Sequence, residues 1–166
     1  MRKDYEIILN LIPENSKVLD IGCSDGELIT YLENKGISAQ GVELNQEKVI
    51  KCLEKGLDVI HGDINLIVED FPFNQFDYCL LTQTIQAVQE PDQLLNTLKK
   101  VSKNIIVSFN NSARLSKISN FLLTGSFDSL LKKANSDHWY NTDYIHPCSI
   151  KDFKKLATDL DLKIIS

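Results

Sequence analysis

The feature that most constrains this chain is a regular alternation of short apolar runs with amphipathic segments. Apolar runs bounded by glycine are typical of buried strands, and apolar residues spaced three and four apart predict helices. A repeated strand–helix order requires parallel strands with helices packed on both faces of the sheet. The sequence therefore predicts an α/β fold, with strands at residues 17–21, 37–44, 57–61, 76–81, 104–109 and 162–165.

Two features of the helical segments refine this prediction. Ser149 and Asp152 have the spacing of a capping box, so the last helix is expected to begin there. The alternation is interrupted at residues 110–148, a long insertion with one amphipathic helix, and insertions of this size are typical of lids or substrate loops. The apolar stripe that predicts the helix after the second strand consists of Val49, Ile50 and Leu53.

Composition excludes several classes of protein. The 166 residues predict a single domain spanning 1–166, and the net charge of −5 with dispersed lysines argues against a nucleic-acid partner. No apolar run approaches the roughly 20 residues that cross a bilayer, and the N-terminus lacks a signal-peptide core. The four cysteines form no Cys-x-x-Cys pair, so we expect reduced thiols, no metal site and a cytoplasmic location.

The first predicted strand runs directly into a glycine turn. Gly22 allows a sharp turn and a close approach of the backbone to a ligand, because it has no Cβ. The helix that begins near Gly26 offers unpaired N–H groups at its start. Asp20, at the end of the strand, places a carboxylate where it can accept hydrogen bonds from an ammonium group.

Acidic residues also end the next two strands. Glu43 can accept from both hydroxyls of a ribose, and Asp63 from the exocyclic amine of an adenine. The carboxyl ends of successive parallel strands line one crevice, so these two side chains and Asp20 are expected to lie near one another. Together they predict a site for an adenosyl amino acid.

The glycine spacing separates this site from a dinucleotide site. A dinucleotide site has Gly-x-Gly-x-x-Gly and a pyrophosphate at the helix N-terminus. Here Gly22 and Gly26 are separated by three residues, and Asp20 just upstream disfavours a diphosphate. An NAD-dependent reductase is therefore the disfavoured alternative.

Residues 18–26 (VLDIGCSDG) resemble the hhDhGxGxG signature of class I methyltransferases, with Ser24 at the usual middle glycine. The resemblance implies a Rossmann-like fold, a mostly parallel sheet of order 3-2-1-4-5-7-6 that here lacks strand 7. It implies S-adenosylmethionine or S-adenosylhomocysteine as cofactor. The residues expected at the cofactor are Asp20, Gly22, Cys23, Ser24, Gly26, Glu43, Leu44, Asp63, Ile64, Thr82 and Gln83.

A narrower resemblance comes from strings that generic methyltransferases do not carry. Residues 83–88 (QTIQAV), 138–142 (HWYNT) and 145–149 (IHPCS) are similar to the MetW methionine-biosynthesis family. That resemblance implies an association with the homoserine O-acyltransferase MetX. Two functions are therefore expected: a methyltransferase acting on a small molecule, or a regulator of the acyltransferase that binds the cofactor without turnover.

The sequence offers candidates for catalysis but assigns no catalytic residue. Gln83, at the end of the fourth strand, can orient an acceptor but cannot take a proton, and a structural amide is the alternative. His138, Tyr140 and His146 are further candidates, on the insertion. His146 is a base in one interpretation and a cap for the last helix in the other, structural one.

Overall fold

The structure, a computed structural model, describes residues 1–126 and 145–165, and the predicted alternation is present there. The elements in chain order are α1 (Lys3–Leu11), β1 (Lys17–Ile21), α2 (Glu27–Asn34), β2 (Ser38–Glu43), α3 (Gln46–Glu54), β3 (Val59–His61), α4 (Ile64–Ile67), β4 (Phe76–Thr82), α5 (Pro91–Val101), β5 (Ser102–Ser108), α6 (Leu115–Thr124) and α7 (Ile150–Asp159). In the described part of the chain, no helix is long and apolar enough to span a membrane.

The strands form one parallel sheet of order β3-β2-β1-β4-β5. This confirms the predicted Rossmann-like α/β architecture. The strand order reverses between β1 and β4, and ligands of open α/β sheets bind outside the carboxyl ends of the strands at such a reversal. The strand order therefore predicts a ligand site at the residues that follow β1, β2 and β4.

The prediction of a strand at residues 162–165 is wrong, because these residues form neither a strand nor an isolated β-bridge. The N–H of Leu162 still donates to the carbonyl of Ala157, 2.8 Å away, as part of the end of α7.

The chain divides into two compact units. The first contains Met1–Thr84 and Gln93–Ser108, which carry the whole sheet, and the second contains Ile85–Asp92 and Phe109–Ser166. In the second unit Ser149 caps α7 by accepting from the N–H of Asp152, whose carboxylate accepts in return from the N–H of Ser149. The predicted capping box is therefore confirmed.

One face of the sheet in the first unit packs against α1 and α2. Val18, Ala39 and Leu80 lie in a single apolar cluster with residues of both helices. The members of that cluster on α1 and α2 are Tyr5, Ile8, Leu28, Ile29 and Leu32, and Cys52 joins it from α3. On the opposite face Leu19, Ile21 and Leu81 are all at most 1% exposed, so the sheet is buried on both sides.

The stripe predicted for α3 is only partly correct. Val49 is buried, but Ile50 and Leu53 are about half exposed, and Cys52 is fully buried in their place. The small thiol fits because Gly26 leaves room there: a Cβ on Gly26 would lie 3.0 Å from Cys52 Sγ. The helix predicted in the insertion is present as α6, with none of its residues buried.

Candidate functional site

Four polar side chains emerge on one face of the sheet near its carboxyl edge. Asp20 pairs in register with Gly41 on β2 and with Leu80 on β4. Glu43 and Thr82 lie two residues further along those strands, and Ser108 is the partner of Thr82 on β5. Laterally paired residues share a face, as do residues two apart in one strand, so all four side chains lie on the α1–α2 face.

Three of these four side chains carry oxygen atoms without a hydrogen-bond partner. Among the described residues, the buried side-chain atoms that lack one are Asp20 Oδ1, Thr82 Oγ1, Ser108 Oγ and Gln75 Oε1. Only the last lies away from the carboxyl edge, just before β4. Buried polar groups are normally paired, so unpaired oxygens grouped at one edge indicate a place that a polar ligand completes.

Asp20 is the most perturbed of these groups. It is 2% exposed, and burial followed by the charge of Glu43 raises its pKa to about 7, while Arg2 acts in the opposite direction. A carboxylate held in this way lacks a cation close enough to neutralise it. The site therefore favours a ligand that brings a positive group to Asp20.

Glu43 organises the loops on either side of it. It is 8% exposed; its Oε2 accepts from the N–H of Ser24 at 2.9 Å and its Oε1 from the N–H of Asn45 at 2.8 Å. Each carboxylate oxygen can accept two hydrogen bonds, so both retain a lone pair for a ligand hydroxyl.

The glycine turn after β1 is tied to the end of β2. The N–H groups of Gly22 and Cys23 both donate to the carbonyl of Val42, at 2.8 and 3.2 Å. Gly22 has φ +73°, and a Cβ there would lie 2.7 Å from Thr84 Oγ1. That hydroxyl donates to the carbonyl of Ile21, so Thr84 and the turn fix each other's position.

Ser24 occupies a conformation that favours glycine. Its φ is +55°, in the left-handed region, where a side chain costs roughly 1–2 kcal/mol.

We expect Ser24→Gly to raise the free energy of unfolding by about 0.5–1 kcal/mol, because part of the relieved strain is offset by the greater flexibility of unfolded glycine. Urea unfolding measures this, with Ser24→Ala as the control that retains the strain. A less stable Ser24→Gly variant would contradict the interpretation.

At β3 the predicted adenine-side residues have a structural role as well. Asp63 Oδ1 accepts from the backbone N–H and the side-chain amide of Asn65, at 2.9 and 2.7 Å, and thus caps α4. Ile64 is buried, whereas Leu44 is 66% exposed. The cap leaves Asp63 Oδ2 for other partners, and Leu44 offers an apolar surface next to Glu43.

Gln83 connects the end of β4 to α1. Its φ is +58°, its N–H donates to the carbonyl of Ser108 at 2.9 Å, and its side-chain amide lies 3.4 Å from Asp4 Oδ2. This geometry supports the structural alternative for Gln83. It also brings Arg2, Asp4 and Tyr5 to the edge, which was not expected from the sequence because no motif marks them.

Of the three catalytic candidates on the insertion, the structure describes His146. His138 and Tyr140 are outside the described residues. His146 belongs to the second unit, where its Nε2 lies 3.1 Å from the carbonyl of Gln89. Its expected role as a cap for the last helix is wrong, because Ser149 has that role.

Gln86, from the string typical of the narrower family, is structural within the second unit. It is 2% exposed; its amide donates to the carbonyls of Asn110 and His146 and its Oε1 accepts from the N–H of Asn110. It thereby fixes two chain segments that are distant in sequence.

The arrangement in the first unit suits an adenosyl amino acid. Asp20 offers a buried anionic oxygen for an ammonium group, and Glu43 has acceptor capacity for hydroxyls. The N–H groups of Gly22, Cys23 and Ser24 already donate to the end of β2, so these three donors are not free to hold a diphosphate. The residues present fit the first kind of ligand and not the second.

Comparisons with known proteins agree with the Rossmann-like fold described above. A family model described as "Methionine biosynthesis protein MetW" matches residues 2–166. The bifunctional methionine biosynthesis protein MetXA/MetW of Rhodopirellula baltica is 32% identical over 170 residues, which cover 97% of this chain. The chain spans 27% of the length of that relative.

Solved structures show the same fold at low sequence identity. A SAM-dependent methyltransferase from Methanosarcina mazei superposes with a TM-score of 0.73 at 18% identity, covering 96% of this chain and 85% of the other. One from Archaeoglobus fulgidus has a TM-score of 0.69 at 20% identity, with 94% and 68% covered. The likeness establishes a class I methyltransferase fold.

Proposed function

The chain belongs to the MetW family, and from that premise we propose that it binds S-adenosylmethionine or S-adenosylhomocysteine at the carboxyl edge of its sheet and methylates a small molecule. The observation that carries the proposal is the buried, unpartnered oxygen of Asp20 on the same face as Glu43. A single ligand with an ammonium group and a ribose satisfies both.

Each residue of the site then has a defined part in binding. Asp20 accepts from the ammonium group of the amino acid, and Glu43 accepts from the ribose hydroxyls. Asp63 and Ile64 lie beside the adenine, and the exposed side chain of Leu44 covers part of its surface. The glycine turn at residues 22–26 allows close approach of the backbone.

The chemistry of the reaction needs little from the protein beyond position. S-adenosylmethionine supplies an electrophilic methyl group when it is bound. The contribution of this chain is to orient an acceptor and to exclude water, which supplies much of the rate enhancement of a displacement reaction. Thr82 and Ser108, with unpartnered hydroxyls at the ends of β4 and β5, are placed to hydrogen-bond a polar acceptor.

Calorimetric titration with S-adenosylhomocysteine, with NAD⁺ as the comparison ligand, tests binding. We expect saturable binding of the former only. Transfer of a radiolabelled methyl group to any component of a cell extract then tests catalysis. Absence of binding to the adenosyl ligand would remove the proposal.

Replacing Glu43 tests the ribose assignment. We expect Glu43→Ala to weaken binding of S-adenosylhomocysteine by about 1–3 kcal/mol, because ligand hydroxyls lose their acceptors. Glu47→Ala, which removes an exposed acid from the start of α3, is the matched control and should bind like the wild type. Equal affinities for Glu43→Ala and Glu47→Ala, measured by calorimetry, would contradict the assignment.

A second function is favoured by one comparison. In the Rhodopirellula baltica relative, the region similar to this chain is part of a protein whose name joins MetXA and MetW. Fusion places two activities in one polypeptide, and we propose that this chain acts with a separate homoserine O-acyltransferase, MetX, in the cytoplasm. In this function, occupancy of the cofactor site regulates the acyltransferase.

An acyltransferase assay separates the two functions. The rate of MetX is measured alone, with this chain, and with this chain plus S-adenosylmethionine. A change in rate that depends on the cofactor supports regulation. An unchanged rate together with methyl transfer to a small molecule supports the enzyme alone.

A further inference from the structure

The amino-acid end of the proposed ligand has an ammonium group and a carboxylate attached to the same carbon atom, and Asp20 binds only the ammonium group. Because the two groups share that carbon, the carboxylate must lie close to Asp20 as well. It needs a cationic partner, because Asp20 and Glu43 already place negative charge there. A cation of this chain at the same end of the ligand would stabilise that carboxylate.

The start of α1 supplies such a cation. Among the basic groups in the described part of the chain, Arg2 is the one whose charge acts on Asp20 and favours its ionised form. Tyr5 is 7% exposed, packs in the α1–α2 cluster with Val18 and Leu80, and is acted on by the charges of both Arg2 and Asp20.

The guanidinium of Arg2 is held in a defined orientation. It forms a two-pronged ion pair with Asp4, with Nε 3.0 Å from Oδ1 and Nη2 bonded to Oδ2, and Nη1 donates to the hydroxyl of Tyr5 at 3.1 Å. Its carbon Cζ lies 4.3 Å from the centre of the Tyr5 ring. Asp4 in turn lies 3.4 Å from the amide of Gln83, at the end of β4.

Arg2 retains capacity for a ligand. A guanidinium has five N–H groups, and the contacts above use three of them. The remaining two belong to Nη1 and Nη2, which together form the edge that binds carboxylates in a bidentate way. Burial raises the pKa of Tyr5 to about 12, so its hydroxyl keeps its proton and can donate to the same carboxylate.

We propose that Arg2, oriented by Asp4 and Tyr5, binds the carboxylate of the ligand's amino acid while Asp20 binds its ammonium group. This inference rests on the proposed cofactor binding and adds the residue that makes the site specific for an intact α-amino acid. A ligand with only one of the two charged groups leaves either Arg2 or Asp20 unsatisfied.

Three ligands isolate the carboxylate in a test. They are S-adenosylhomocysteine, its decarboxylated analogue that keeps the ammonium group, and 5′-methylthioadenosine, which lacks the amino acid. We expect Arg2→Ala to weaken binding of S-adenosylhomocysteine about 10–100-fold and to change binding of the other two less than about 2-fold. Arg2→Lys should recover part of the loss, because it keeps the charge but not the bidentate edge.

Arg114→Ala is the matched control, since it removes the other arginine, at the start of α6 in the second unit. It should bind all three ligands like the wild type. The ratio of affinities for the first two ligands is measured within one protein, so it is insensitive to a reduced folded fraction of Arg2→Ala. If that variant does not fold, the ratio for Arg2→Lys decides.

An affinity ratio that is the same in the wild type and in both Arg2 variants overturns the inference and leaves the proposed cofactor binding intact. If the wild type binds none of the three ligands, the proposed function itself fails.

Discussion

Replacing Asp20 by asparagine is expected to stabilise the protein without ligand at alkaline pH and to abolish ligand binding. Burial and the charge of Glu43 raise the pKa of Asp20 from 3.8 to about 7, so the folded protein binds a proton there that the unfolded chain releases. The free energy of unfolding therefore decreases as pH rises from about 4 to about 7, by roughly 4 kcal/mol in total. Asp20→Asn removes this titration and keeps the size of the side chain.

Urea unfolding at pH 5.5 and pH 8.5 measures the effect. We expect the variant to exceed the wild type in stability by several kcal/mol at pH 8.5 and by less at pH 5.5. Asp25→Asn, at an exposed acid of the same turn, is the matched control and should follow the wild type. Parallel pH profiles for the wild type and Asp20→Asn would show that Asp20 is not a strained buried carboxyl.

Ligand should reverse the order of stability. Saturating S-adenosylhomocysteine stabilises a protein that binds it in proportion to the logarithm of ligand concentration over Kd. The wild type gains this term, and Asp20→Asn, which cannot accept from the ammonium group as an anion, does not. Stability exchanged for binding at one residue is common at functional sites.

Gly26→Ala is expected to destabilise the protein by about 2–4 kcal/mol. Gly26 has φ +76°, which costs roughly 1–2 kcal/mol for any residue with a Cβ. The added Cβ would also lie 2.3 Å from Leu57 Cδ1 and 3.0 Å from Cys52 Sγ, both of them buried side chains. Overpacking of this kind adds about 1–3 kcal/mol.

Gly36→Ala separates the two contributions. Gly36 has φ +75°, but the position that a Cβ would take there has no neighbouring heavy atom within 4 Å, so its replacement carries only the backbone cost. Urea unfolding midpoints for the two variants, at unchanged m-value, give the difference directly. If both variants lose the same stability, the packing around Gly26 is looser than the distances indicate.

The acids at the strand ends could be predicted because they follow local patterns. Apolar runs mark β1 and β2, and in a parallel sheet their carboxyl ends lie at one edge, so Asp20 and Glu43 were expected to be neighbours. The capping box of α7 is equally local, since Ser149 and Asp152 are three residues apart. Such features depend on spacing within one segment.

Contacts between distant segments could not be predicted in this way. The burial of Cys52 in place of Leu53 depends on the missing Cβ of Gly26, in another element. The lack of a strand at residues 162–165 depends on pairing with a neighbour, which the apolar pattern of those residues cannot show.

The sequence by itself determined the positions of β1 to β5 along the chain, the glycine turn and the acidic residues at the strand ends, because periodicity and backbone preference act within a few residues. The tertiary structure decided that an oxygen of Asp20 is buried without a partner and that the charge of Arg2 acts on this carboxylate. Both depend on how α1 packs over the sheet, and that packing is the sum of many contacts between residues far apart in the chain.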